Sequence, residues 1–140
     1  MSRIFWDTNL FIYLFEGHGP FSERTSQLRR TMLARGDQLL TSTLTLGEVL
    51  VKPIERGDAN LAFRYEQAIS RTAILIPLDA RAARLYASLR CERALRPPDA
   101  IQLACAATVG VDLFITNDAK LQSRQIEGIQ FVVSLDRAPI

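Results

Sequence analysis

Short apolar segments alternate with longer amphipathic segments along the whole 140-residue chain. The apolar segments predict β-strands, and the amphipathic segments between them predict helices. Strands that alternate with helices usually form a parallel sheet with helices on both faces. We therefore expect an α/β fold in which three layers, α/β/α, surround a five-stranded parallel sheet. The strands are predicted at residues 3–6, 38–41, 73–77, 112–115 and 130–134.

Residues that begin or end helices set the predicted helix limits. The helix at about 22–35 carries Leu28 and Met32 at helical spacing and stops at Gly36, a natural C-terminal cap. Further helices are predicted at about 43–55, 59–71, 80–94 and 97–109, and another begins near Thr8.

Length and composition indicate one domain covering residues 1–140. The chain is long enough to form its own core, and 48% apolar and 23% charged residues are ordinary for a globular protein. No apolar run approaches a membrane span or a signal peptide, so we expect a cytoplasmic protein. Cys91 and Cys105 lack CxxC spacing and are expected to be reduced, buried thiols.

Four acidic residues occur where solvated charges are uncommon. Asp7 and Asp118 each follow an apolar run, which places both at predicted carboxyl ends of strands, where ligands bind in open α/β sheets. Asp99 follows two prolines at a helix start, and Glu48 falls on an apolar helical stripe. Carboxylates buried together repel each other, and burial penalises their charged forms, so they need a cation. The pattern predicts a divalent metal site and phosphate chemistry.

Each acid also has a structural interpretation that the sequence leaves open. Asp7 and Asp118 could cap a helix or a helical turn, and Asp99 could favour a helix N-terminus electrostatically. Glu48 could form an ion pair with a nearby arginine.

Two apolar stripes are predicted on the helix that carries Glu48. The first consists of Leu44, Glu48 and Val51, and the second of Leu46, Leu50 and Ile54. One stripe is expected to meet the sheet. The other, with Phe63 on the next helix, is expected either to bind another chain or to be buried within the monomer.

The chain lacks the residues that several classes of enzyme and binding protein require. His18 is the only histidine, which excludes a ribonuclease that uses two histidines as acid and base. Neither GxxxxGK[ST] nor GxGxxG occurs, and few nitrogen or sulfur ligands are available, so oxygen ligands favour Mg²⁺ or Mn²⁺ over zinc. Fifteen of the 17 basic residues are arginine, which suits phosphate contacts but equally fits a genome rich in arginine codons.

These motifs, in this order, make the chain resemble the PIN-domain family, and within it the VapC-like toxins of toxin–antitoxin pairs. The matching segments cover essentially the whole chain: Ile-Phe-Trp-Asp7-Thr-Asn, Thr-Leu-Gly-Glu48-Val-Leu, Pro-Pro-Asp99-Ala-Ile-Gln-Leu-Ala and Leu-Phe-Ile-Thr-Asn-Asp118. The resemblance implies a PIN-like sheet with the acids at one edge, and metal-dependent cleavage of RNA. It also implies a cognate antitoxin and a homodimer as partners. Two prolines, Pro97 and Pro53, depart from the common pattern. Pro53 is expected to interrupt the Glu48 helix.

The resemblance also implies roles for individual residues. Asp7 and Asp99 correspond to the metal ligands, Asp118 and Glu48 complete the acidic cluster, and Asn9 and Thr116 match supporting residues. Asp118 is also predicted to be a metal ligand.

The expected reaction is hydrolysis of an RNA phosphodiester by a water molecule that Asp118 or Glu48 orients, leaving a 3′-hydroxyl and a 5′-phosphate. Arg93 and Arg96, which precede Asp99, are candidate phosphate contacts or solvated surface residues. Two other classes stay open: a receiver-like signalling domain, and an inactive module that uses an acidic pocket only to bind a partner.

Overall fold

Five parallel strands form the central sheet of the computed structural model, which describes residues 1–17, 19–122 and 124–140. Their order in the sheet is β3-β2-β1-β4-β5, which confirms the predicted α/β architecture. His18 lies outside the described residues. The strands are β1 Arg3–Trp6, β2 Gln38–Ser42, β3 Ile74–Ile76, β4 Val111–Ile115 and β5 Ile129–Val133.

Six helices are described between the strands, and most agree with the predicted segments. The helix predicted at 80–94 ends earlier, at Arg90. There the chain turns so that Leu95, only 2% exposed, enters the core. The helices are α1 Thr8–Glu16, α2 Pro20–Arg35, α3 Thr43–Glu55, α4 Ala59–Thr72, α5 Ala80–Arg90 and α6 Pro97–Val109.

Successive residues of β1 supply the two halves of the core. Phe5 packs with the residues of α5 and α6 on one face of the sheet, and its ring stacks on that of Phe114 at 5.0 Å. Ile4 and Trp6 point to the opposite face, where they pack with α1 to α4. Leu28 and Met32 of α2 are buried on that face, as their spacing predicted. The two faces give the expected three layers.

Helix α3 is rotated relative to both predicted apolar stripes. Its buried residues are Thr45, Val49 and Pro53, whereas Val51 is 49% and Ile54 65% exposed. The rotation brings the Thr45 hydroxyl to buried hydrogen-bond partners that it would otherwise lack. Pro53 is inside the helix, which continues to Glu55, so the expectation that it interrupts this helix was wrong.

The exposure of Phe63 and of the two cysteines can be compared with what the sequence predicted. Phe63 of α4 is 64% exposed, so of the two outcomes that the sequence left open, burial within the monomer does not apply to it. Cys105 is buried, and burial raises the pKa of its thiol to about 11. Cys91 is exposed because it follows the end of α5, so its predicted burial was wrong.

Within the described residues, no helix combines the length and apolarity needed to cross a membrane.

The strands are added on one side of β1 first and on its other side afterwards, so the strand order switches at β1. From β1 the chain moves outward through β2 and β3, and then returns to place β4 on the other side of β1. The backbone N–H of Asp7 donates to the carbonyl of Ile115 at 3.0 Å, which joins the carboxyl ends of these two strands. Such a switch point leaves a crevice between adjacent loops, where ligands bind in open α/β sheets.

Candidate active site

All four predicted acids line one cavity of about 620 Å³ at the switch point. Asp7 follows β1, Asp118 follows β4, Asp99 is in the first turn of α6, and Glu48 is on α3. The structure therefore brings together carboxylates that are far apart in the sequence. Other residues that line the cavity include Thr8, Asn9, Lys52, Arg96 and Gln102.

Asp7 is the most buried of these acids, with 8% of its surface exposed. Its Oδ1 accepts a hydrogen bond from the backbone N–H of Thr8 at 2.8 Å, so Asp7 also caps α1. Its Oδ2 accepts from the Thr116 hydroxyl at 2.8 Å. Burial raises the pKa of Asp7, and the charges of Asp99 and Glu48 raise it further against the effect of the two hydrogen bonds. A nearby cation would relieve this unfavourable charge.

Asp99 and Asp118 lie on either side of the Arg96 guanidinium. Arg96 Nε is 3.5 Å from Asp99 Oδ2, and the terminal nitrogen Nη2 of the same guanidinium is 3.8 Å from Asp118 Oδ2. Burial and the charge of Asp118 raise the pKa of Asp99, and Arg96 and Lys120 oppose that rise. Asp118 Oδ1 also accepts from the backbone N–H of Lys120 at 2.9 Å, so Asp118 stabilises a turn as well as lining the cavity.

Thr116 connects two of the acids. Its side chain is fully buried, donates to Asp7, and accepts a hydrogen bond from the backbone N–H of Asp118 at 3.0 Å. Asn9, the other expected supporting residue, is exposed and lines the cavity. Arg96 also lines it, whereas Arg93 is exposed and does not.

Glu48 is exposed, although the sequence placed it on an apolar helical stripe that could have lain at the edge of the core. Its Oε1 accepts a hydrogen bond from the Thr8 hydroxyl at 2.6 Å, a short distance typical of a hydroxyl donating to a carboxylate. Among the described ion pairs, none joins Glu48 to an arginine. The Glu48 carboxylate is therefore held by a hydrogen bond from α1 and not by an ion pair with an arginine.

Gln102, a buried amide beside the acids, is a residue of the site that was not predicted from the sequence. Gln102 is 2% exposed, and its Nε2 donates to the hydroxyls of Thr45 at 2.8 Å and Thr8 at 3.0 Å. A signal was present, because Gln102 interrupts an otherwise apolar segment three residues after Asp99, on the same side of α6.

The chemistry of these groups suits a hard divalent cation. Carboxylate and hydroxyl oxygens are the ligands that Mg²⁺ and Mn²⁺ prefer. In the part of the chain that the structure describes, no three acidic, histidine or cysteine side chains already form a group that could hold an ion. Arg96 instead provides the positive charge beside Asp99 and Asp118. The fit to a metal ion therefore rests on the chemistry of the carboxylates of Asp7, Asp99 and Asp118, which line the same cavity.

Comparisons with known proteins agree with this fold. The family model described as PIN domain matches residues 4–126. No curated protein matches the chain.

Similar solved structures come from toxin–antitoxin systems. A chain of a toxin–antitoxin complex from Klebsiella pneumoniae is 28% identical, with a TM-score of 0.67 over 90% of this chain and 94% of that one. A chain of VapBC2 from Rickettsia felis, bound to a promoter DNA fragment, is 14% identical, with a TM-score of 0.74 over 94% and 98%. A chain of VapBC-5 from Mycobacterium tuberculosis is 20% identical, with a TM-score of 0.62 over 96% and 99%.

Proposed function

The chain belongs to the PIN domain family, and from that premise we propose that it is a metal-dependent endoribonuclease of the cytoplasm. Membership of this family implies nuclease activity. The observation that carries the proposal is the convergence of four carboxylates in one cavity at the switch point of the sheet. The strand order β3-β2-β1-β4-β5 differs from the order 2-1-3-4-5 of receiver domains, which argues against that alternative.

Asp7, Asp99 and Asp118 are the residues proposed to hold Mg²⁺ or Mn²⁺. A bound ion of this kind polarises a phosphodiester and lowers the pKa of a coordinated water. Thr116 keeps the Asp7 carboxylate and the Asp118 backbone in a fixed relation through its two hydrogen bonds.

The remaining residues of the cavity are assigned to water and phosphate. Glu48, hydrogen-bonded to Thr8, orients the water that attacks phosphorus. Arg96 is 66% exposed and contacts the phosphate once its carboxylate partners are neutralised. Arg93, outside the cavity, is assigned a weaker contact with a neighbouring phosphate. The attack breaks the bond from phosphorus to the 3′-oxygen, which leaves as a hydroxyl, and the new end carries a 5′-phosphate.

We propose that the protein is the toxin of a toxin–antitoxin pair, with a cognate antitoxin and a second copy of itself as partners. The support is the likeness to the Klebsiella complex, which extends over 90% of this chain. The exposed apolar side chains of Val51, Ile54 and Phe63 provide a surface for a protein partner.

The test is cleavage of an end-labelled RNA by purified protein, first in chelator and then with Mg²⁺ or Mn²⁺ restored. We expect cleavage only with the ion, and loss of about 100-fold or more in Asp99→Asn, because that substitution removes a charged ligand. The matched control is Asp58→Asn, since Asp58 caps α4 by accepting from Leu61 at 3.0 Å and asparagine caps equally well. Full cleavage in chelator would exclude the metal mechanism. No cleavage with either ion would favour the inactive binding module.

A further inference from the structure

Gln102 makes contacts with three elements around the acidic centre. Its Oε1 accepts from the Ser42 hydroxyl at 2.5 Å at the end of β2, and its Nε2 donates to Thr45 of α3 and Thr8 of α1. The same nitrogen is 3.4 Å from Asp7 Oδ1. A buried amide with this many partners fixes their relative positions, because each broken contact would leave a buried polar group unsatisfied.

The surroundings determine which way the amide faces. An amide oxygen placed 3.4 Å from the Asp7 carboxylate would repel it, whereas an amide N–H is attracted. Ser42 Oγ already accepts from the backbone N–H of Thr45 at 3.3 Å, so its own hydrogen is available to Gln102 Oε1. The amide nitrogen therefore faces Asp7, Thr8 and Thr45.

This orientation determines the direction of the Thr8 hydrogen bond. A threonine hydroxyl has one hydrogen, and Gln102 Nε2 can only donate, so the Thr8 oxygen accepts from Gln102. Thr45 Oγ1 lies 3.1 Å from Thr8 Oγ1 and already accepts from Thr41 and Gln102, so its own hydrogen is directed to Thr8. The Thr8 hydrogen is then left for Glu48 Oε1 at 2.6 Å. Glu48 is exposed, and in the described part of the chain no other hydrogen bond or ion pair holds its carboxylate.

We propose that Gln102 is a positioning residue that acts through Thr8 to hold the Glu48 carboxylate at the active site. Gln102 is only 2% exposed, and in this proposal it acts through Thr8 and not by binding RNA or the ion itself. Its catalytic consequence rests on the proposed function, since Glu48 orients the attacking water there. Its structural consequence, the fixed position of Glu48, does not require RNA or metal.

The test begins with the ¹³C resonance of the Glu48 carboxyl carbon in metal-free, ¹³C-glutamate-labelled protein, assigned by its absence in Glu48→Gln. We expect this resonance to move in Gln102→Met and in Thr8→Val. Gln102→Asn, which keeps an amide but shortens it, should move the resonance too and serves if Gln102→Met fails to fold. The matched control is Gln38→Met, because Gln38 is hydrogen-bonded to Arg3 at 3.0 Å at the start of β2.

Kinetics then separate positioning from general stability. We expect Gln102→Met to lower kcat about tenfold with the KM for RNA changed less than about twofold, because ground-state RNA contacts are intact. In a Thr8→Val background we expect the same substitution to lower kcat by less than about a further twofold, because the hydrogen bond through Thr8 is already lost.

Two results would overturn the proposal. One is a Glu48 resonance that moves in Thr8→Val but stays unchanged in both Gln102 variants. The other is a full tenfold effect of Gln102→Met on kcat in the Thr8→Val background, which would mean that Gln102 acts by another route. If no protein in the series cleaves RNA, the proposed function fails, but the resonance still decides whether Gln102 positions Glu48.

Discussion

Asp7 combines a structural and a chemical position in one side chain. It caps α1 through the Thr8 N–H, and it accepts from Thr116 while lining the acidic cavity. The two interpretations that the sequence left open for Asp7 are therefore compatible. Burial is the main reason for its raised pKa, so the charged carboxylate is unfavourable in the metal-free protein.

This raised pKa predicts how Asp7→Asn changes stability with pH. The folded protein holds the Asp7 proton more tightly than the unfolded chain, so stability from this group is present below the ordinary aspartate pKa and is lost as pH rises through the folded value. Asparagine does not titrate. In chelator at pH 7.5 we expect Asp7→Asn to raise the free energy of unfolding by about 1 kcal/mol, with a smaller gain near pH 4.5.

Urea unfolding at both pH values measures this difference, with Asp58→Asn as the control cap. Adding Mg²⁺ should stabilise the wild type more than the variant, because the proposed metal site exists only in the folded protein and the variant lacks one of its carboxylates. A variant that is less stable than wild type in chelator at pH 7.5 would show that Asp7 acts mainly as a helix cap.

At the scale of elements, helix limits could be predicted more reliably than helix rotation. The limits of α3 and α6 follow from residues near their ends, and the structure confirms them. The rotation of α3 depends on Thr45, whose buried hydroxyl bonds to Thr41 at 2.8 Å and to Gln102 from a distant helix. Apolar spacing alone contains no information about such a partner.

Substitutions at two glycines test how closely neighbouring elements pack. A Cβ built on Gly128 would lie 2.4 Å from the carbonyl oxygen of Ala107, and Gly128 has a φ of +96°. We expect Gly128→Ala to destabilise the fold by about 1–3 kcal/mol, because α6 and the start of β5 must separate. Gly47, inside α3, is the contrast, because a Cβ built there meets no atom of another element within 4 Å.

Gly47→Ala should stabilise the protein by about 0.5–1 kcal/mol, since alanine restricts the unfolded chain and favours the helix. Chemical denaturation of the two variants beside wild type measures both effects. Equal stability of all three proteins would contradict the close approach of Gly128 to α6.

At the scale of the whole molecule, the topology explains why widely spaced acids form one site. Placing β4 beside β1 brings residues 7 and 118 to adjacent strand ends. The sequence predicted this meeting because both acids follow apolar strands. It could not predict that Arg96 lies between Asp99 and Asp118, or that Glu48 is exposed, because side-chain positions depend on contacts between distant elements.

The exposed apolar side chains Val51, Ile54 and Phe63 belong to α3 and α4, which pack against each other. We propose that they contribute to the homodimer contact, and we expect Ile54→Glu with Phe63→Glu to convert a dimer into a folded monomer. Burying two charges without partners at an interface costs several kcal/mol, enough to dissociate a micromolar dimer. Light scattering gives the molar mass, and circular dichroism checks folding. The control is Leu33→Glu, which changes a 62% exposed side chain on α2. An unchanged dimer in the double variant would place the contact elsewhere, and dissociation by Leu33→Glu alone would move it to α2.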